Sequence, residues 1–127
     1  MTSIFTKIIN KEIPSEIIWE NDSYIAFMDA FPVSDGHILV CPKKEIDYIF
    51  DLDSDIYHGL WDVVKMLEEL LRKAMNVKRV VLQVEGFLVP HTHVHMIPLN
   101  EAQELKSSGQ ADMDKLKAIA DSIRAEL

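Results

Sequence analysis

The sequence predicts an α+β domain: an antiparallel sheet with one long helix packed on a face. Three observations lead there. Short β-branched and aromatic runs alternate with turn formers, as in Ile17-Ile-Trp19, Tyr24–Met28 and His37–Cys41. A single long stretch from Asp53 to Asn76 carries Ile56, Leu60, Val63, Val64, Leu67, Leu70, Leu71 and Ala74 at steps of three and four. Between Val89 and Pro98, histidines recur at every second position, 91, 93 and 95, which is strand periodicity.

With 127 residues the chain fits one domain, 1–127, with its core over about 3–99 and a loop and last helix over 100–127. Apolar residues make up 48% of it, enough for a core without staples. The single cysteine, Cys41, leaves no internal disulfide and suits a reducing compartment. No run reaches the ~20 apolar residues of a membrane span. The N-terminus has no charged-then-apolar leader, so a cytoplasmic protein is expected. A net charge of −8 argues against nucleic-acid polymers and membrane surfaces, which need a basic footprint. A small anionic ligand needs only local donors.

In chain order, Ile4, Phe5, Ile8 and Ile9 predict a short helix or turn before Pro14. Ile17–Trp19 and Tyr24–Met28 predict a hairpin across Asn21-Asp-Ser23. Asp29 to Gly36 reads as a loop, His37–Cys41 as a strand stopped by Pro42. Lys43 and Lys44 read as a solvated strand end, with attraction of phosphate as the alternative. The long helix starts near Asp53-Ser-Asp55, where side-chain oxygens can cap it, and ends at Asn76. Arg79–Val84 is a strand, paired antiparallel with the histidine strand. Asn100–Gln110 is a loop, and Asp112 opens a last helix with Leu116, Ile119, Ala120 and Ile123 on one face.

The histidines carry the chemistry. On one straight strand they would stand in a row, roughly 6–7 Å apart. As satisfied core residues, three rings would need three sets of buried partners. As metal ligands, three in a row cannot converge on one ion at ~2.1 Å, and no Cys pair or H-E-x-x-H completes a site. As phosphate-handling groups they fit: a central neutral imidazole attacks phosphorus, and its neighbours donate to oxygens where charge builds. The chain has no P-loop and no G-x-G-x-x-G. His58, alone on the long helix, reads as a surface residue.

His91-Thr-His93-Val-His95-Met-Ile97, together with SIFTKIINKEIPSEIIWEND and AFMDAFPVSDGHILVCPKK, resembles the histidine-triad (HIT) family of nucleotide hydrolases and transferases. The resemblance spans about residues 3–99. It implies a HIT-like fold with a five-stranded antiparallel sheet, and a homodimer. It implies a purine nucleotide substrate, such as a phosphoramidate or a dinucleoside polyphosphate, cleaved through a nucleotidyl-histidine. His93 matches the nucleophile, His91 and His95 its flanking histidines, and His37 a histidine near the phosphate. Asp29 matches the acid that holds the ribose hydroxyls. Ile4, Phe5, Ile8, Phe27, Met28, Ala30 and Leu39 match positions lining the base pocket. No cofactor or catalytic metal is implied.

Four features depart from the family pattern. Ser3, Thr6 and Glu45 stand where many members carry two cysteines and a histidine of a structural zinc site, so no zinc is expected. Val84-Glu-Gly86 stands where an Asn-x-Gly is common. The approach from Gly86 to the triad is short, Phe87-Leu-Val-Pro90, and it lacks the Gly-Gln that contacts phosphate in relatives. The shortening leaves a second reading open: a nucleotide-binding module with little turnover.

Overall fold

A computed structural model describes residues 2–127. Its elements run α1 (Ile4–Ile9), β1 (Ile17–Glu20), β2 (Tyr24–Met28), β3 (Ile38–Pro42), a 3-10 turn (Ile49–Asp51), α2 (Ser54–Met75), β4 (Arg79–Gln83), β5 (Val94–Leu99) and α3 (Met113–Arg124). The five strands form one antiparallel sheet in the order β1-β2-β3-β5-β4.

Local chemistry explains the boundaries. Ser3 caps α1, its side chain accepting from the Thr6 amide. Asn21 Oδ1 accepts from the amides of Ser23 and Tyr24, at 2.9 and 2.8 Å, and turns the β1–β2 hairpin. Asn76 ends α2 in the left-handed region at φ 52°. Asp112 caps α3 through the Lys115 amide. At the start of α2 the expected side-chain cap is not made. Asp53 holds the N-cap position without such a bond, and Asp55 in the first turn supplies the favourable charge.

Two apolar layers sandwich the sheet. On one face, α2 and α3 pack through Leu60, Val64, Leu67, Leu71, Leu116 and Ile123 against Ala26, Met28, Ile38, Val40, Val94 and Met96. On the other, α1 delivers Phe5 and Ile8 onto Ile25, Phe27, Leu39 and Cys41. Coverage of one face only was expected. The continuous burial of β2 and β3 explains the difference, since unbroken apolar strands bury both faces.

The histidine segment is also corrected. The strand begins at Val94, and His91 and His93 precede it. The backbone here leaves the ladder. His91 N–H bonds Val89 O, and Thr92 N–H bonds Ile46 O at 2.7 Å. Thr92 Oγ1 adds a second tie to Ile46 O at 2.7 Å. His91 and His93 are therefore placed by the loop before β5 and not by the sheet ladder. Pro42 is the last residue of β3, not a residue beyond it. It pairs with Tyr24 at the strand end, where a missing N–H is tolerated.

Candidate active site

A cross-strand row on the α1 side of the sheet places the site. Register pairs Ile17 with Phe27, Phe27 with Leu39, Leu39 with His95, and His95 with Gln83. Directly opposed residues share a face, so His95 projects on the side that carries Phe5. His93, just before β5, lies beside it with ring centroids 5.1 Å apart. Phe5 meets His93 edge-on at 4.8 Å and Phe27 at 5.3 Å.

Hydrogen-bond partners fix the tautomers. His93 Nδ1 lies 2.6 Å from the His91 carbonyl. A carbonyl only accepts, so Nδ1 carries the proton and Nε2 keeps its lone pair. His37 Nδ1 accepts from the Val33 amide at 3.0 Å. Its Nε2–H therefore donates to His95 Nδ1 at 2.9 Å, and His95 presents Nε2–H as a donor. Burial pushes His37 down to about 3, with His95 adding to it. Burial likewise pushes His95 down to about 4, with His93 second. Both rings are neutral near pH 7.

Asp29 closes this group. Its Oδ1 accepts from the Phe31 amide at 2.8 Å. Its Oδ2 stands 3.5 Å from His37 Nε2 and 3.9 Å from His95 Nδ1, free to accept from a ligand hydroxyl. Burial raises its pKa. Among the described residues, Asp29, His37 and His95 are the group of donors close enough to hold a cation. The direct His37–His95 bond would have to open for one to enter.

His91 plays a different part from the one the resemblance implies. Its ring is 0% exposed, and both nitrogens are engaged. Nε2 lies 2.7 Å from Pro42 O and Nδ1 2.9 Å from Ser3 Oγ. The ring has no donor left for a substrate, and His91 touches the site through its carbonyl. The three zinc-site positions do not fit zinc: two are hydroxyls, one is a carboxylate already accepting from Ser3 and Thr6, and no thiolate or imidazole is among them.

Of the apolar positions, Phe5, Ile8, Phe27 and Leu39 come together on the site face. Met28 does not: it neighbours Phe27 on an extended strand, so it points the other way and packs with α2 and α3. Ile4 is 49% exposed and outside that cluster. Ala30 is half-buried, its carbonyl bonded to the Ala111 amide. Lys43 and Lys44 pair with Glu20 and Asp53 rather than reaching the site. His58 is an exposed residue of α2. Sequence reasoning missed a cavity of about 620 Å³ that opens on His93 and is lined by Tyr48, Phe50, Tyr57, Trp61 and Phe87. Tyr48 and Phe50 lie in a stretch without clear periodicity, and only their aromatic character signalled a role.

The HIT-domain family model matches residues 10–102. The chain belongs to the HIT family. An uncharacterized HIT-like protein of Methanocaldococcus jannaschii is 35% identical over 102 residues, 77% of this chain and 79% of that one. The adenosine 5′-monophosphoramidase of Candida albicans is 30% identical over 137 aligned positions, covering 98% of this chain and 90% of that one. The solved Hit-like protein involved in cell-cycle regulation from Bartonella henselae superposes with a TM-score of 0.91 at 33% identity, over 99% and 96% of the two chains. The five-stranded sheet and its helices are those of the HIT fold.

Proposed function

We propose that this HIT protein hydrolyses nucleoside 5′-phosphoramidates through a nucleotidyl-His93 intermediate. The observation that carries the reading is the His93 Nδ1–H bond to the His91 carbonyl, which leaves Nε2 as an aimed nucleophile. The printed activity of the Candida albicans relative supports the substrate class.

In the first step His93 Nε2 attacks the α-phosphorus and the P–N bond to the leaving amine breaks. The amine departs with a proton from its solvent shell. Charge on the non-bridging oxygens meets the His95 Nε2–H donor, which His37 holds in orientation. In the second step water adds to phosphorus, the bond to His93 breaks, and the water's proton goes to solvent. Asp29 Oδ2 takes the ribose hydroxyls. The packed Phe5, Ile8, Phe27 and Leu39 face supports the purine, and the aromatic cavity beside His93 leaves room for the leaving group.

The short approach to the triad supports the second reading, a binding module with little turnover. Phe87 and Leu88 are 90% and 91% exposed and carry no donor toward His93. Incubation with adenosine 5′-phosphoramidate separates the two. The enzyme reading expects AMP from wild type, none from His93→Ala, and an adduct isolable in alkali but lost in acid. Nucleotide binding without AMP release would leave the module.

The proposal extends to a homodimer. β4 is an edge strand with Leu82 and Val84 exposed, and Trp61 Nε1 is buried with no partner. Light scattering on the purified chain checks the mass.

A further inference from the structure

Glu45, Ser3 and Thr6 meet His91 in a cluster where the shorter contacts decide where each hydrogen goes, Ser3 Oγ lying 2.9 Å from His91 Nδ1 and 3.3 Å from Thr6 Oγ1. His91 Nε2 faces Pro42 O at 2.7 Å, so Nε2 bears the proton and Nδ1 must accept. Two hydroxyls are near Nδ1, Ser3 Oγ at 2.9 Å and Thr6 Oγ1 at 3.3 Å. Thr6 Oγ1 also lies 2.7 Å from Glu45 Oε1. A carboxylate only accepts, so the Thr6 proton goes there, and the Ser3 proton is the one that reaches His91. Ser3 Oγ in turn accepts from the Thr6 amide at 3.0 Å, and Glu45 Oε1 accepts from the Ser3 amide at 2.5 Å. These contacts hold Glu45 well below the usual carboxylate range, the Ser3 amide foremost.

We propose that Ser3, with Thr6 and Glu45 behind it, is a positioning residue that tethers the His91 ring at Nδ1 against the Pro42 carbonyl and thereby aims the His91 carbonyl that orients His93. The inference rests on His93 being the nucleophile. The His91 ring is fully buried and tethered at both nitrogens, so its backbone cannot rotate without breaking one tie. That backbone supplies the 2.6 Å acceptor for His93 Nδ1–H. The same helix end carries Phe5 to within 4.8 Å of the His93 ring. The beginning of the chain thus braces the nucleophile on two sides, across 88 residues of sequence in the Ser3–His91 bond.

Ser3 also caps α1, and the test must separate capping from positioning. Ser3→Asp keeps an N-cap acceptor but presents an acceptor, not a donor, to His91 Nδ1. Ser3→Thr keeps both. The readouts are the kcat and KM on adenosine 5′-phosphoramidate and the ring-nitrogen NMR shifts of His91 and His93, with circular dichroism to confirm the fold. Ser3→Asp and Ser3→Ala are expected to lower kcat about tenfold or more, as for a misaimed reacting group, with KM little changed. Ser3→Asp is expected to draw a proton onto His91 Nδ1, and Ser3→Ala to leave Nδ1 without its Ser3 donor, each shifting the His91 nitrogen signals from wild type. Ser3→Thr is expected to restore both. Folded Ser3→Asp with wild-type kcat and wild-type nitrogen shifts would overturn the proposal. If wild type turns nothing over, the enzyme reading fails, and the NMR comparison still decides whether Ser3 holds His91 Nδ1.

Discussion

His37 Nε2 and His95 Nδ1 are 2.9 Å apart across 58 residues of sequence, joining the residue before β3 to the second residue of β5. This bond decides which nitrogen of His95 faces the site. His37→Ala removes the donor and lets His95 place its proton on Nδ1, away from substrate. Steady-state kinetics should show kcat lower by about a hundredfold, the scale of a lost oxyanion donor, with a smaller change in KM. An unchanged kcat would mean that His95 does not donate to the phosphoryl oxygens.

Stability should fall on acidification below about pH 6.5. His37 and His95 are held near 3 and 4 in the folded chain, and burial lowers His91 as well. In the window from 6.5 down to about 4 the unfolded chain therefore binds more protons than the folded one. Stability rises with pH through that window, by about 1.4 kcal/mol per pH unit for each net proton. Asp29, raised by burial, works in the opposite sense and reduces the slope by up to one group. Urea midpoints between pH 4 and 7.5 measure it, and a flat profile would contradict the buried neutral rings.

Gly59 in α2 leaves no room for a side chain. An added Cβ would stand 2.0 Å from Tyr24 Oη and 2.8 Å from Tyr24 Cζ. Tyr24 Oη donates to Ile56 O at 3.0 Å and cannot withdraw freely. Gly59→Ala should destabilise by about 1–3 kcal/mol despite its better helix propensity. Chemical denaturation of Gly59→Ala with and without Tyr24→Phe should give a non-additive cycle.

α3 lies beyond the span matched by the family model, yet it fills the main core. Leu116, Ala120 and Ile123 are buried there, and Arg124 Nε bonds Ile17 O at 3.0 Å along edge strand β1. Ile123→Ala should cost about 2–5 kcal/mol while leaving KM unchanged in the residual folded protein. A change within experimental error would mean that α3 is a loose appendage.

Dialysis against a strong chelator should leave both the thermal midpoint and turnover as they were. The zinc-site positions are tied by hydrogen bonds, and the proposed steps use none but side chains and water. Loss of either property, restored by one added metal, would point instead to the Asp29, His37 and His95 donors.

The sheet was legible because its evidence is local. Tyr24–Met28 and Ile38–Pro42 announce buried strands, Asn21 and Asn76 announce a turn and a helix end, and Asp112 announces a cap. Alternation at 91, 93 and 95 looked like strand, but Pro90 and the Thr92 bonds to Ile46 take the backbone out of the ladder. Period-two spacing cannot report those distant partners. The resemblance groups Phe27 with Met28, though a strand must send neighbours to opposite faces. Ser3, Thr6 and Glu45 read only as missing zinc ligands. Nothing in the spacing of residues 3, 6, 45 and 91 shows that their hydrogens form a closed set.

The strand order has a kinetic consequence. Among the described residues β4 has β5 as its only neighbour, and β5 sits between it and β3. Until residues 94–99 arrive, β4 lacks its strand partner, and His95 is not yet beside His37 and His93. The nucleophile is therefore assembled by the event that closes the sheet, through contacts of long sequence separation that form slowly. A refolding chain should regain catalytic competence together with its last strand, with no active species on the way.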